Sequence, residues 1–229
     1  MRFIHIKNQI NLLAVFIKIS QHSAESNTTC FKMYHLMRAH ILHHFYLCRN
    51  GISINGVTID SGNADCSGAN YAIVKQNTIS LNVVNGVEVF GGAQKICFIQ
   101  NTVNNNGFDG FSIGPAPNNI LTDNTISGSN QYGIRIHSSS DYTTISSNTI
   151  TNGQAGITIS GSEYSTISGN TITNNKPWNG AGTSLALSIN TSHNSTIENN
   201  LITNNNSGIE VQGSSITLTS NTVSNNDVK

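Results

Sequence analysis

An Asn followed by Thr or Leu and then by Ile or Val recurs seven times in this chain. The units start at Asn77, Asn101, Asn124, Asn148, Asn170, Asn200 and Asn221, with spacings of 24, 23, 24, 22, 30 and 21 residues. A second motif keeps phase with the first, 13 to 15 residues ahead of each Asn from Asn101 onward. Its copies are Gly86-Val87-Glu88-Val89, Gly110-Phe111-Ser112-Ile113, Gly133-Ile134-Arg135-Ile136, Gly156-Ile157-Thr158-Ile159, Ala186-Leu187-Ser188-Ile189 and Gly208-Ile209-Glu210-Val211. Two motifs locked in phase at a nearly fixed period describe a stack of similar coils, each resting mainly on its neighbours.

Residue type says what the coils are made of. Each Gly-Ile-x-Ile unit alternates apolar and variable positions, so its two apolar side chains point one way and x the other. The units are short, rich in β-branched residues, and bounded by Gly, Ser and Asn, as at Ser160-Gly161-Ser162. A period holds about three such pieces, with no gap that has helical length or pattern. Three short strands per coil, each paired with its counterpart in the next, predict an all-β parallel β-helix. The handedness rule for parallel connections makes it right-handed. The repeated Asn falls at the bend between second and third strands, where its side chain tolerates αL geometry and bonds to backbone. Stacked coil on coil, these amides are expected to form an internal ladder.

Composition divides the chain near residue 50. Residues 1–50 hold no Gly or Pro, six of the eight His, and six Lys/Arg against the single acid Glu25. Residues 51–229 hold all 20 Gly, all three Pro, five Lys/Arg and ten Asp/Glu. A basic segment thus precedes an acidic solenoid, expected over 51–229, and the net charge of zero conceals the difference. An acidic solenoid without a basic stripe argues against a nucleic-acid partner.

The first 50 residues read as an N-terminal segment of different character. Residues 12–17 are an apolar run behind Arg2 and Lys7, in the manner of a secretory signal. Lys18 cuts the run short, and the nearest small-x-small site, Ala24-Glu25-Ser26, carries an acid at its centre. The run is too short to span a membrane. Phe31, Tyr34, Met37, Ile41, Phe45 and Cys48 recur at helical spacing, which predicts an amphipathic helix over 31–48 that caps the open end of the first coil. At the other end, Ser224-Asn225-Asn226-Asp227 stands inside another repeat turn, which reads as a solenoid continued by further coils or by a partner. Cys30, Cys48, Cys66 and Cys97 form no CxxC and have no pairing that sequence can choose. Cys30, His35, His40, His43, His44 and Cys48 contain zinc-ligand residue types without a recognised ligand spacing, so no metal site is assigned to them.

From about Gly51 onward the chain resembles the right-handed parallel β-helix, pectin-lyase-like superfamily, and most nearly its NosD-type periplasmic proteins and mannuronan C5 epimerases. The Gly-Ile-x-Ile units, the Asn-Thr-Ile units and Asn105-Asn106-Gly107-Phe108-Asp109-Gly110-Phe111 carry the likeness. The epimerase signature Asp-Pro-His-Glu is absent; its place falls at Glu88-Val89-Phe90-Gly91, where Glu88 alone supplies a carboxylate. The resemblance implies an extracellular or periplasmic protein that binds an acidic polysaccharide along the first-strand face.

The residues themselves supply a candidate surface there. The x positions make a vertical line of Glu88, Ser112, Arg135, Thr158, Ser188 and Glu210, expected to face outward. Neighbouring turns add Asp109, Tyr132, His137, Asp141 and Glu163. The 30-residue coil inserts an enlarged loop over 176–182, with Lys176 and the only Trp, Trp178, which is suited to stack on a sugar ring. Abstracting the C5 proton of a uronate needs a base and a positive group to offset charge growing on the carboxylate. Arg135 can offset that charge, His137 or Tyr132 can act as base or acid, and Asp109 can orient them or bind Ca²⁺. Glu88, Trp178, Lys176 and Glu210 are the expected substrate-binding residues. The alternative class is a non-catalytic surface or periplasmic solenoid whose repeats supply rigidity and length.

Overall fold

The computed structural model describes residues 17–19, 31–34, 40–41, 44–46, 52–55, 72–177 and 184–227. Three sheets, parallel except for one terminal strand of the first, run along the column, with nine, eight and eight strands among the described residues. The first sheet contains Val87–Phe90, Phe111–Ile113, Tyr132–His137, Ala155–Ser160, Leu185–His193 and Ser207–Ser214. Each of these pairs in parallel with its successor one coil later. The second sheet carries strands such as Ile96–Ile99 and Thr144–Ser146, and the third carries strands such as Thr102–Asn104 and Thr149–Thr151.

The alternation in the sequence fixes which side chains fill the column. Ile134, Ile136, Ile157, Ile159, Leu187 and Ile189 from the first sheet are buried, as are Ile167 from the second and Ile172 from the third. Each such aliphatic side chain contributes about 1.5–3 kcal/mol when fully buried. Gly133 precedes the inward Ile134 because a Cβ there would stand 2.3 Å from Ile150 Cγ2. Ala186 fills the same place in a later coil, so the crowding at Gly133 is set by its own neighbour Ile150.

The repeated Asn forms the expected internal file. Its Nδ2 donates to Oδ1 of the next Asn from Asn77 through Asn101, Asn124, Asn148, Asn170 and Asn200 to Asn221, at 2.9–3.0 Å. Every Oδ1 from Asn101 upward also accepts the backbone N–H of the Asn below. The bend thus satisfies buried polar groups that would otherwise be orphaned. A second file occupies the bend after the third sheet: Asn82 bonds to Asn106, and Asn175, Asn205 and Asn226 bond in turn. Ser129 and Gly153 take the two intervening places, and the Ser129 hydroxyl has no hydrogen-bond partner among the described residues.

The described parts of residues 31–48 are strands and not the expected helix. Phe31–Tyr34 joins the first sheet, His40–Ile41 the second and His44–Tyr46 the third. Each pairs in register with a later coil, for example His44 with Thr78 and His40 with Ile73. Sheet pairing of these described strands decides the outcome over local periodicity. His40 and His44 consequently lie in different sheets. Ile17–Ile19 pairs antiparallel with Phe31–Tyr34. The apolar run over 12–17 lies outside the described residues except for Ile17. No described helix is long and apolar enough to cross a membrane.

Candidate functional site on the first sheet

Strand register brings the candidate residues together. Glu88, Ser112, Arg135, Thr158, Ser188 and Glu210 are successive Cα partners, so the line expected from the x positions exists as one row. Its exposure differs from expectation. Glu88, Arg135 and Glu210 are half-buried, but Ser112, Thr158 and Ser188 are buried. Strands stack only about 4.8 Å apart, so a short side chain in such a row is covered by the longer ones above and below.

Asp109 precedes this row by one bend and is 2 % exposed. Its Oδ1 accepts the backbone N–H of Tyr132 at 3.2 Å, and its own N–H donates to Asn85 Oδ1 at 3.1 Å. Asp109 is therefore a rung in a short side-chain file that links three coils. Burial pushes its carboxyl up from 3.8 to about 6, although the Tyr132 N–H, the Arg135 charge and a hydrogen bond from Ser112 pull the other way. Glu88 adds a smaller upward push.

The Arg135 guanidinium carbon stands 5.8 Å from the Tyr132 ring centroid, within cation–π range. His137, two residues further along the strand, is half-buried, with Nδ1 3.0 Å from Ser138 Oγ. Burial lowers its pKa, and the Arg135 charge lowers it further, which favours neutral imidazole. Gly114 in the coil below makes room for this residue: a Cβ there would meet His137 O at 2.2 Å and Nδ1 at 2.8 Å. Sequence reading missed the role of Gly114, although its place one coil before His137 was visible in the repeat.

Other expected contributors lie apart. Lys176 Nζ forms an ion pair with Asp227 Oδ2 at 2.9 Å, near the second Asn file and two coils below its partner. Gln212 Nε2 donates to Glu210 Oε1 at the far end of the row. Trp178 lies outside the described residues, so the structure supplies no placement for it. Among the described residues, no three His, Cys, Asp or Glu side chains gather as a metal site. Ca²⁺ takes six to eight oxygen ligands, and Asp109 commits one of its two oxygens to Tyr132. The donor set does not fit Ca²⁺.

Residues 94–229 match the family model described as right handed beta helix region. The chain belongs to the right-handed β-helix family. That membership fixes the handedness of the coils and the sense in which the first-sheet face is presented. No curated protein sequence matches the chain. Among solved structures, it is similar to the Azotobacter vinelandii mannuronan C-5 epimerase AlgE6 A-module, with 14% identity, a TM-score of 0.58, and coverage of 84% of this chain and 60% of that one. It is also similar to the periplasmic alginate epimerase AlgG, with 13% identity, a TM-score of 0.56, and coverage of 77% and 42%. A third likeness is to the enzymatically active domain of bacteriophage CBA120 tailspike protein 2, with 18% identity, a TM-score of 0.52, and coverage of 78% and 26%. The chain spans between about a quarter and three fifths of the length of these structures. At such identities the likeness is one of fold.

Proposed function

We propose that this β-helix binds an acidic polysaccharide along the outer face of its first sheet, and modifies it by chemistry of the C5 epimerase or lyase type. The observation that carries the reading is the meeting of Arg135, Tyr132 and His137 on one strand, with the buried carboxyl of Asp109 directly below. Arg135 pairs with the uronate carboxylate and takes up charge as the C5 carbanion forms. Neutral His137 removes the C5 proton through Nε2 when its Nδ1–H donates to Ser138 Oγ. Tyr132 supplies a proton, either to the opposite face of C5 in epimerisation or to the departing C4 oxygen in elimination. Asp109 touches backbone and not polymer, so its part is to hold the Tyr132 strand in register.

Neighbours of the same fold support this reading, among them a periplasmic alginate epimerase and a mannuronan C-5 epimerase module. An extracellular or periplasmic location is supported by Cys97, which is disulfide-bonded, because such bonds persist in oxidising compartments. A second reading is a non-catalytic solenoid of the cell surface or periplasm. Asp109 favours it, since the Asn85–Asp109–Tyr132 file accounts for that carboxylate structurally.

Binding and product assays on polyuronates with wild type, Arg135→Ala and His137→Ala separate the two. Loss of polymer binding in Arg135→Ala, and of product in His137→Ala, with unchanged melting supports the first reading. Absence of binding to every polyuronate by the wild type leaves the structural one.

A further inference from the structure

The bend between the first and second sheets carries a file that the first-sheet face does not use. Its outermost residues are Lys95, Asn118, Tyr142, Tyr164, Asn194 and Ser215, each with positive φ. Backbone bonds tie members to the residue before the next member, such as Asn118 N–H to Asp141 O at 2.8 Å and Tyr142 N–H to Glu163 O at 2.9 Å. Asn and Ser suit such a place, because short polar side chains tolerate αL geometry. Two tyrosines in adjacent coils do not suit it. Bulky residues at φ of 57° and 54° are strained, and these two are also 56 % and 48 % exposed.

The strained pair is ordered as a unit. The Tyr142 and Tyr164 rings stack with centroids 4.9 Å apart and planes 7° from parallel. Beside them stand Asp141 and Glu163, the only adjacent acids in the file that otherwise holds Gln94, Pro117, His193 and Ser214. Asp141 Oδ1 accepts the Glu163 N–H at 2.8 Å. Its other oxygen and the Glu163 carboxylate have no hydrogen-bond partner among the described residues. Exposed aromatic rings present a surface to the C–H groups of a pyranose, and carboxylates accept hydrogen bonds from its hydroxyls.

We infer that Tyr142, Tyr164, Asp141 and Glu163 form a second carbohydrate site, for uncharged hexopyranose units, on the ridge between the first and second sheets. The two carboxylates repel uronates, so this ridge and the Arg135 face select opposite classes of sugar. A polymer or glycoconjugate with neutral and acidic segments would engage both.

Binding of cello-, malto-, manno- and galacto-oligosaccharides to the full chain, measured by calorimetry and tyrosine fluorescence, tests the site. At least one neutral series is expected to bind and to perturb the fluorescence. The double variant Tyr142→Asn/Tyr164→Asn is expected to weaken it by about tenfold or more. Asn is the residue that Asn118 and Asn194 already place in this file, so this variant keeps or raises the melting temperature. Asp141→Asn/Glu163→Gln, which keeps the Asp141 Oδ1 acceptor, is expected to weaken neutral sugars and admit uronates. Arg135→Ala leaves neutral-sugar binding intact, so failure of the polyuronate reading and failure of this one are distinguishable. The inference is overturned if no neutral series binds, if binding survives both double variants, or if only Lys/Arg-rich peptides bind the ridge.

Discussion

Asp109 and Tyr132 sit at equivalent places in adjacent coils, and the carboxylate of the first accepts the backbone N–H of the second at 3.2 Å. A carboxylate held this way fills a place where Asn would serve, as Asn85 does one coil earlier. The difference is charge, and it makes the coil junction sensitive to pH.

Asp109 titrates at about 6 in the fold against 3.8 as a free group, so the folded state favours the protonated form. A raised pKa gives stability that is full below the unfolded value and is lost as pH rises through the folded one. The protein is therefore expected to lose about 2 kcal/mol between pH 4 and pH 7 from this group. Urea melts at the two pH values check this, and Asp109→Asn should flatten the difference.

His137 is expected to titrate below its ordinary value of 6.5 in an NMR pH series. Burial is the larger cause and the Arg135 charge the smaller. Arg135→Gln should therefore raise the His137 pKa without returning it to 6.5. A depressed pKa contributes stability above the unfolded value that is lost as pH falls through it, the reverse of Asp109.

Gly114→Ala is expected to displace His137. The added methyl would meet the His137 carbonyl and ring atoms of the coil above at 2.2–2.9 Å, two of which belong to the ring. A loss of about 1–3 kcal/mol, as for overpacking elsewhere, should appear in melts. The His137 chemical shifts should move while those of His193 stay.

Asn148→Ala removes an acceptor from the Asn124 N–H and Nδ2, and a donor from Asn170 Oδ1 and Leu121 O. Asn124 Nδ2 keeps Phe98 O and Asn170 Oδ1 keeps the backbone N–H of residue 148, so the Asn124 N–H is the group left unpaired and a loss of about 1–3 kcal/mol is expected. Equivalent exposed changes such as Thr149→Ala should cost under about 0.5 kcal/mol. Chemical denaturation of both variants makes the comparison.

The column was legible because its two signals are chemical necessities repeated in every coil. Inward Ile134, Ile157 and Leu187 must be apolar, and Asn124, Asn148 and Asn170 must satisfy a buried bend. Residues 31–48 were misread because they carry no copy of the repeat to average over, and their apolar spacings fit a helix as well as short strands. Thr158 and Ser188 were placed on the right face but assigned the wrong exposure. Alternation gives direction and says nothing about the height of neighbours. The strained Tyr142–Tyr164 pair went unnoticed because φ leaves no mark on a sequence until the coils are aligned.

The second Asn file breaks at Ser129 and Gly153, in the coils that carry the Tyr132–His137 and Ala155–Ser160 strands. A column with every side-chain rung fastened behaves as a stiff rod; one that misses two adjacent side-chain rungs, with Gly153 keeping only its N–H to Asn175 Oδ1, has a more compliant joint. The joint lies beneath Arg135 and Thr158, about midway along the described coils. Pulling or bending would open it before the fully laddered coils on either side. Under the proposed polysaccharide reading, a long polymer laid across the first sheet meets a surface that can yield by a small angle beside Arg135.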